Sequence, residues 1–264
     1  MNSIMRKRQI LQLLKEQNAA CTMETLCQKL YCSRSTIRRD LINLEEEGMI
    51  QRHHGGVSLV MDSASENSVN IRRMANPEKK AAIAKLFQKY LRDNMVLFMD
   101  SSSTVGYCIP YIKQKREMTI ITNGIHAASQ FNTLSDFKCY LCPGILKYNS
   151  LSVIGEYALG FLDNFSAQVA VLSCKAINAQ GFFEGDDSQA LIKRKMIKNS
   201  NFRILLCDNT KENSSGYFKL ANFDEIDFII SNSYFSDKLM NVIQQSKAHF
   251  LCPQNYSQYS HFKF

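Results

Sequence analysis

Two short amphipathic segments near the start of the chain are separated by only three residues, and this spacing constrains the fold more than any other feature. Apolar residues recur at helical spacing in 23–31 and again in 34–47, and Thr22 and Ser33 stand at the N-cap position before each segment. A further helical pattern covers 4–17. Two helices joined by about three residues are typical of a helix-turn-helix.

The segment 34–47 has an outward face suited to DNA. Its apolar residues share one side, while Ser35 and Arg39 lie opposite and Arg38 lies on the flank. Arginine suits guanine and phosphate, and groups at a helix start can bind phosphate. The alternative is an ordinary solvated face, which the acids at 45–47 fit. The candidate DNA contacts here are Ser33, Arg34, Ser35, Thr36, Arg38 and Arg39.

Two β-like runs within 49–60 flank a Gly-Gly turn, which predicts a β-hairpin directly after the third helix. A hairpin in this place is a wing, and it would bring Arg52, His54, Gly55 and Gly56 close to the DNA. Adjacent histidines can also bind metal, but no cysteine or acid stands nearby at ligand spacing. We therefore expect neither a metal nor a cofactor.

Composition places the 264-residue chain among globular proteins, with 45% hydrophobic and 21% charged residues. A net charge of +8 favours an acidic partner such as nucleic acid, although a basic enzyme fits the charge equally well. The sequence has no apolar run near the roughly 20 residues of a membrane span and no secretory signal. Nine irregularly spaced cysteines favour a reducing cytoplasm, and Cys139 and Cys142 are interpreted as strand residues.

A polar stretch separates the first 60 residues from the rest. We expect an α+β winged helix-turn-helix domain at 1–60, a linker at 61–76, an effector-binding domain at 77–252 and a C-terminal tail at 253–264. In the second domain β-like and helical runs alternate, which indicates an α/β fold with a mainly parallel sheet. The predicted strands are 95–99, 119–122, 137–142, 168–173, 203–207 and 228–231. The predicted helices are 104–114, 124–131, 152–162, 188–199 and 237–246.

Polar residues follow several of these predicted strands. Ligands of parallel α/β sheets bind beyond the carboxyl ends of the strands, although each polar loop alone could be only a cap or a turn. The candidate effector contacts are Asp100, Ser101, Ser102, Ser103, Thr104, Thr122, Asn123, Gly144, Lys175, Asp208 and Lys211. The basic residues within 193–198 are interpreted instead as a solvated helix face.

Several motifs of the chain occur in one family in the same order. They are Thr36-Ile37-Arg38-Arg39-Asp40-Leu41, His54-Gly55-Gly56, the loop 100–104, Thr122-Asn123, Gly144, Gly155, and Asp208 with Lys211. On these residues the chain resembles the DeoR family of bacterial transcription regulators. The resemblance implies a winged helix that binds double-stranded operator DNA as a homodimer or homotetramer. It also implies a sensor domain that is similar to ribose-5-phosphate isomerase and binds a phosphorylated sugar or related metabolite.

The chain departs from the family pattern around the expected effector site. Ser102 and Ser103 replace a usual Gly and Thr, Pro143 replaces a usual Gly, and Asn232 stands where Asp is common. Loss of glycine limits how closely the backbone approaches a phosphate. We therefore expect the site to be either re-specified or weakened.

The sequence thus predicts a DNA-binding regulator, a repressor of a carbohydrate-metabolism operon that a phosphorylated sugar controls. The alternative is a sugar-phosphate isomerase-like enzyme with an attached DNA-binding module. Such an enzyme needs a carboxylate base, for which Glu184, Asp186 and Asp187 are candidates. The segment 173–178 lacks the paired acids that the isomerase family carries there, so we expect no enzyme.

Overall fold

The computed structural model describes residues 2–16, 20–53, 56–59, 69–148 and 150–259. The chain divides into two compact units, Met1–Ala75 (unit 1) and Asn76–Phe264 (unit 2). Unit 1 encloses one cluster of buried apolar side chains. Unit 2 encloses two such clusters.

Unit 1 joins helices to a small antiparallel sheet. The helices are α1 (Ser3–Glu16), α2 (Met23–Leu30), α3 (Arg34–Glu46) and α4 (Val69–Met74). The strands are β1 (Ala20–Thr22), β2 (Ile50–His53) and β3 (Gly56–Leu59), in the order β1-β3-β2. The predicted helix-turn-helix is confirmed as α2 and α3. The strands β2 and β3 form the predicted wing, and its tip, His54 and Gly55, lies outside the described residues.

Local capping fixes where α2 and α3 begin. The Thr22 hydroxyl accepts a hydrogen bond from Thr25 N at 3.2 Å, and the Ser33 hydroxyl accepts one from Thr36 N at 3.3 Å. Between the helices Tyr31 adopts a φ of 50°, a left-handed conformation that turns the chain sharply. The fully buried side chains of the unit include Leu26, Ile37, Leu41 and Leu44.

Unit 2 begins with α5 (Pro77–Phe87) and continues as alternating strands and helices. The strands are β4 (Val96–Met99), β5 (Thr119–Thr122), β6 (Lys138–Leu141), β7 (Ile145–Lys147), β8 (Ser152–Ile154), β9 (Ala167–Ser173), β10 (Ala176–Asn178), β11 (Gly181–Glu184), β12 (Ser200–Leu206), β13 (Phe218–Ala221), β14 (Phe228–Ile230) and β15 (His249–Leu251). The helices are α6 (Ser103–Gly106), α7 (Ile109–Ile112), α8 (Ile125–Phe131), α9 (Glu156–Leu162), α10 (Asp187–Lys198) and α11 (Asp237–Gln244).

A seven-stranded parallel sheet organises unit 2. Its order is β15-β14-β12-β9-β4-β5-β6, and each neighbouring pair is parallel. The apolar clusters cover the two faces of the sheet, so most of β9 and the last three residues of β12, Ile204–Leu206, are buried and apolar. The predicted parallel α/β fold is confirmed. The antiparallel sheet β10-β11-β13 and the hairpin β7-β8 are additions that the sequence did not reveal.

The structure corrects three predicted elements of unit 2. The predicted helix 104–114 is wrong as one helix, because it is divided into α6 and α7, with Pro110 in the first turn of α7. The predicted helix 152–162 is wrong at its start, where β8 precedes Gly155 with a φ of 100°. The predicted buried strand 137–142 is an edge strand, β6, with largely exposed side chains.

The end of the described chain also belongs to unit 2. In the segment 253–264, which the sequence predicts to be a tail, Tyr256 packs against an apolar cluster. The Lys89 amine lies 3.1 Å from the centre of the Tyr256 ring, a cation–π contact. Among the described helices, none combines the length and apolar character that crossing a bilayer demands.

Candidate nucleic-acid interface and effector site

Helix α3 presents a cationic face that its own fold leaves open. Ile37 and Leu41 face the core, which places Arg38 and Arg39 on the exposed side. Within the described residues neither of these two arginines has a hydrogen-bond or ion-pair partner, whereas Arg34 pairs with Glu24 at 2.6 Å. Two guanidinium groups without internal partners can donate to base edges or phosphates at no cost in native contacts.

The serine and threonine side chains at the start of α3 divide between two tasks. The Ser33 hydroxyl caps the helix and also bonds the Ser35 and Thr36 hydroxyls at 3.0 and 2.8 Å. Ser35 is exposed, and Thr36 is half-buried. Ser33 therefore has a structural role that is independent of DNA.

An acid of α3 secures the wing. The Glu45 carboxylate accepts hydrogen bonds from Arg52 N at 2.9 Å and from Arg52 Nε at 2.6 Å. Glu45 is thus committed to β2 rather than to a face that would repel DNA. A Cβ at Gly56 would lie 2.9 Å from Cys21 O, so close approach of β1 requires glycine at this position.

A groove links the candidate residues of α3 and the wing. It encloses about 620 Å³ between α2, α3 and the base of the wing. Its lining comprises Met23, Arg34, Ser35, Arg38, Leu41, Arg52 and Gly56. The groove therefore combines three predicted cations with one predicted hydroxyl on a single concave surface.

A buried ion pair fixes α3 against α1. Asp40 is 1% exposed and accepts hydrogen bonds from the Arg6 guanidinium at both oxygens and from the Ser3 hydroxyl at 2.9 Å. Because Arg6 of α1 binds both Asp40 oxygens, this ion pair fixes the rotation of α3 about its own axis relative to α1. This contact keeps the cationic face of α3 turned outward.

In unit 2 the predicted effector loops meet at the carboxyl ends of the parallel strands. A Cβ at Gly124, just after β5, would lie 3.1 Å from Ser101 Cα, so these two loops are in contact. Asp100, after β4, accepts hydrogen bonds from Ser102 N and Ser173 N, each at 2.9 Å. The carboxylate of Asp100 thereby ties the ends of β4 and β9 together.

Lys193 of α10 is buried beneath these loops, so its interpretation as part of a solvated face is wrong. Its amine pairs with Asp100 at 3.1 Å and Glu184 at 2.5 Å and donates to Ser173 O at 2.7 Å. Burial alone would lower the pKa of Lys193, but the two carboxylates outweigh it and raise the pKa above its ordinary value. The amine therefore stays charged at neutral pH.

The acids that an isomerase would use as a base have structural partners. The Glu184 carboxylate is bound to the buried Lys193 amine. Asp186 caps α10 by accepting from Gln189 N and pairs with Lys147 at 2.5 Å, while Asp187 accepts from Ser188 N at 2.7 Å. These contacts give each acid a role in the fold.

Lys211 lies where three strand ends converge. Its amine donates to Ser173 Oγ at 2.7 Å and Cys174 O at 2.6 Å, and it reaches Thr104 Oγ1 at 3.5 Å. A second lysine, the buried Lys80 of α5, donates to Ser103 Oγ at 3.2 Å. Two amines and several hydroxyls therefore converge on the end of β4.

Other predicted residues complete the cluster or fall outside it. Asn123 is fully buried, and its Oδ1 has no hydrogen-bond partner among the described residues. Asp208 accepts from Thr210 N at 3.2 Å and shapes the loop that carries Lys211. Lys175 is half-exposed beside this cluster. Gly144 starts the hairpin, where a Cβ would lie 2.5 Å from Ile154 O, which explains this glycine by packing.

Two residues of this cluster, Lys80 and Lys193, were missed as site residues, although a signal for them exists in the sequence. Lys80 precedes the buried Ile83 and Phe87 at helical spacing, and Lys193 stands on the same buried stripe of α10 as Gln189 and Met196. A charged residue on an apolar stripe must find a buried partner, so it signals a polar site below the helix.

Cys139 and Cys142, which the sequence predicts to be strand residues, lie in surroundings that keep their thiols in the neutral form. Cys142 is buried, and burial raises the pKa of its thiol to about 12. Burial also raises the pKa of the half-buried Cys139 thiol. Thiols held in the neutral form are poor nucleophiles and poor metal ligands. Within the described part of the chain no group of three metal-ligating side chains comes together.

Both units match known protein families. Residues 6–62 match the DeoR-like helix-turn-helix domain, and residues 75–233 match the DeoR C terminal sensor domain. A winged helix-turn-helix followed by an α/β sensor domain defines a class of DNA-binding transcription regulators. The chain belongs to the DeoR family.

Relatives of the chain carry the names of regulators. The HTH-type transcriptional repressor GlcR of Bacillus subtilis (strain 168) is 30% identical over 87% of this chain and 90% of its own. The glycerol-3-phosphate regulon repressor of Escherichia coli (strain K12) is 28% identical over 92% of this chain and 96% of its own. The protein is accordingly a DNA-binding transcription regulator with a sensor domain.

One solved structure similar to part of the chain is ribose-5-phosphate isomerase A from Methanocaldococcus jannaschii. It covers 52% of this chain and 55% of its own, with 15% identity and a TM-score of 0.39.

Proposed function

We propose that the protein is a repressor that binds operator DNA through α3 and the wing and releases it when a phosphorylated sugar binds unit 2. The observation that carries the DNA part is the pair Arg38 and Arg39, exposed beside a groove that also contains Arg34 and Arg52. Arginines on the amino-terminal half of a recognition helix contact base edges in the major groove. Ser35 and Thr36, with the wing residues Arg52, His54, Gly55 and Gly56, complete the proposed contacts.

The DNA part is tested by titrating the full chain with promoter DNA of its own operon. We expect Arg38→Ala and Arg39→Ala each to weaken binding by on the order of tenfold or more. Arg92→Ala, which removes an exposed arginine from unit 2, is the control for net charge. Affinities equal to that of Arg92→Ala in both variants would contradict the assignment of α3 as the recognition helix.

The effector is proposed to bind at the strand ends of unit 2, with its phosphate near Lys211. Support comes from the convergence of Lys211, Thr104 and Ser103 at the end of β4. It also comes from the buried Asn123 Oδ1, which has no hydrogen-bond partner in the described part of the chain. An amine and hydroxyls suit phosphate, and a buried acceptor suits a sugar hydroxyl. Asp100, Ser101, Ser102, Thr122, Gly144, Lys175 and Asp208 are the other proposed contacts or supports.

The name of one relative, a glycerol-3-phosphate regulon repressor, supports a phosphorylated metabolite and a carbohydrate-related operon for this chain. The effector would release the operator only if it binds the DNA-competent and incompetent arrangements with different affinity. The proposed assembly is a homodimer or homotetramer, since paired half-sites of an operator require paired recognition helices.

The effector part is tested by calorimetry with a panel of phosphorylated sugars. We expect Lys211→Ala to weaken the binding of the active compound by on the order of tenfold to a hundredfold, because it removes a charge-assisted hydrogen bond. Lys247→Ala, an exposed lysine of the same unit, is the control. Equal binding by Lys211→Ala and Lys247→Ala would remove Lys211 from the site.

A further inference from the structure

The hairpin β7-β8 exposes apolar side chains in an unusual way. In its outer strand Ile145 is 66% exposed and Leu146 is 61% exposed. Consecutive strand residues point to opposite faces, so both faces of β7 are open. The inner strand β8 is the anchored one, because Ser152 and Val153 are buried. Residues 144–148 and 150–154 therefore form an arm with an uncovered apolar outer strand.

The exposed apolar surface continues onto the neighbouring elements. A Cβ at Gly155, where α9 begins, would lie 3.6 Å from Ile145 Cδ1, so β7 and the start of α9 are in contact. Strand β6 is the edge of the parallel sheet and leads directly into the arm. The exposed large apolar residues of this arm surface are Tyr140, Leu141, Ile145, Leu146, Tyr148, Leu151 and Tyr157.

The size of the arm surface favours a stable protein partner. From the exposed fractions of its seven side chains it offers roughly 800 Å² over its two faces together, so a partner that pairs along the edge of the arm and reaches both faces would cover it. About 800 Å² is also what each partner buries in a standard protein–protein interface. Without a partner these apolar side chains would remain in water, which is unfavourable.

We propose that a second copy of this chain covers the arm surface. An edge strand and an apolar surface are self-complementary, since a two-fold axis brings each onto its own copy. The charged residues between 138 and 157 are Lys138, Lys147 and Glu156, and Lys147 is paired with Asp186 at 2.5 Å. A surface with few unpaired charges is more complementary to a second copy of itself than to a strongly acidic or basic partner. The choice of occupant rests on the proposed operator binding, which requires paired recognition helices.

The arm is held rigidly at its inner strand, which favours assembly. Val153 N donates to Asn123 O at 2.7 Å, and Asn123 Nδ2 donates to Val153 O at 3.1 Å. Gln189 Nε2 also donates to the Ser152 hydroxyl, and Gly124 bridges to Ser152. Because the anchor is ordered before the second copy binds, association loses little conformational entropy.

The test is sedimentation velocity of the full chain without DNA across the micromolar range. We expect the wild type to sediment as a dimer or larger assembly and Leu146→Asp to weaken association by on the order of 30-fold or more. Tyr217→Asp, whose side chain is 74% exposed outside the arm surface, should associate as the wild type does. A monomeric wild type, or a Leu146→Asp variant that associates normally, would overturn the proposal.

A second measurement does not depend on any variant. Amide hydrogen exchange of the wild type should slow in peptides covering 138–148 as the protein concentration rises, while peptides from β12 stay unchanged. Equal exchange in 138–148 at concentrations below and above the association midpoint found by sedimentation would also overturn the proposal. Because neither experiment contains DNA, a chain that sediments as a monomer yet binds operator through Arg38 and Arg39 would refute the arm alone.

Discussion

The cations of α3 and those beneath the strand ends of unit 2 have opposite surroundings. Arg38 and Arg39 are exposed and have no hydrogen-bond or ion-pair partner among the described residues, whereas Lys193 is 4% exposed and contacts two carboxylates. Removing an exposed cation costs the fold little, so α3 is free to be specialised for DNA. Removing a buried cation leaves buried carboxylates without a partner, so a substitution at the strand ends of unit 2 also lowers the free energy of unfolding.

The largest effect is expected at Lys193. Lys193→Met should lower the free energy of unfolding by about 3–5 kcal/mol, because Asp100 and Glu184 are left buried and unpaired. Urea denaturation followed by circular dichroism measures the change, and Lys198→Met, at an exposed position of α10, is the matched control. A loss as small as that of the control would mean that the two regions do not differ as described.

An intermediate effect is expected for the buried pair of unit 1. Arg6→Met should lower the free energy of unfolding by about 2–3 kcal/mol, because the fully buried Asp40 loses a charged donor and, among the described side chains, keeps the Ser3 hydroxyl alone. Arg8→Met on the same helix is exposed and serves as the control in the same urea titration. Equal midpoints for the two variants would show that Asp40 is solvated after all.

Ser33 and Ser35 should separate stability from DNA binding. Ser33→Ala should cost about 1 kcal/mol of stability, because its hydroxyl caps Thr36 N. Ser35→Ala should leave the denaturation midpoint unchanged and affect operator affinity only. The two midpoints, measured side by side, decide the matter, and a larger loss for Ser35→Ala would reverse the assignment.

The smallest effect is expected for the exposed pair of Arg34 and Glu24, whose side chains are 74% and 60% exposed. Glu24→Gln should change the free energy of unfolding by no more than about 0.5 kcal/mol, since water screens the pair. It should strengthen rather than weaken operator binding, because it frees Arg34 for phosphate. Thermal melting and operator titration measure the two quantities, and a substantial loss of stability would contradict the exposure argument.

The sequence predicted those parts of the fold in which neighbours along the chain decide the structure. The strands β4, β5, β9 and β14 and the second half of β12 are mostly buried, and they show in the sequence as runs rich in apolar residues. Strand β15 was missed because its three residues, His249–Leu251, carry no periodic signal and depend on pairing with β14. The helix-turn-helix was predicted because its caps and apolar spacing are local.

Tertiary contacts explain what the sequence did not reveal about the site. Lys193 was interpreted as solvated because its partners Asp100 and Glu184 come from distant strands, and only folding brings them to α10. Gly144 and Gly56 were interpreted as contacts for ligands, whereas the structure also requires them for close approach of Ile154 O and Cys21 O. The motif thus locates a residue without distinguishing packing from binding.

The reciprocal hydrogen bonds between Asn123 and Val153 join the residues that follow β5 to the inner strand of the arm, β8, so these two segments are expected to move together. In the proposed assembly, a metabolite that fixes Asn123 and a second copy that grips the arm act on one equilibrium. Thermodynamic reciprocity then requires that each alters the binding constant of the other by the same factor. The sensitivity of the sensor to its metabolite would consequently depend on how much of the protein the cell contains.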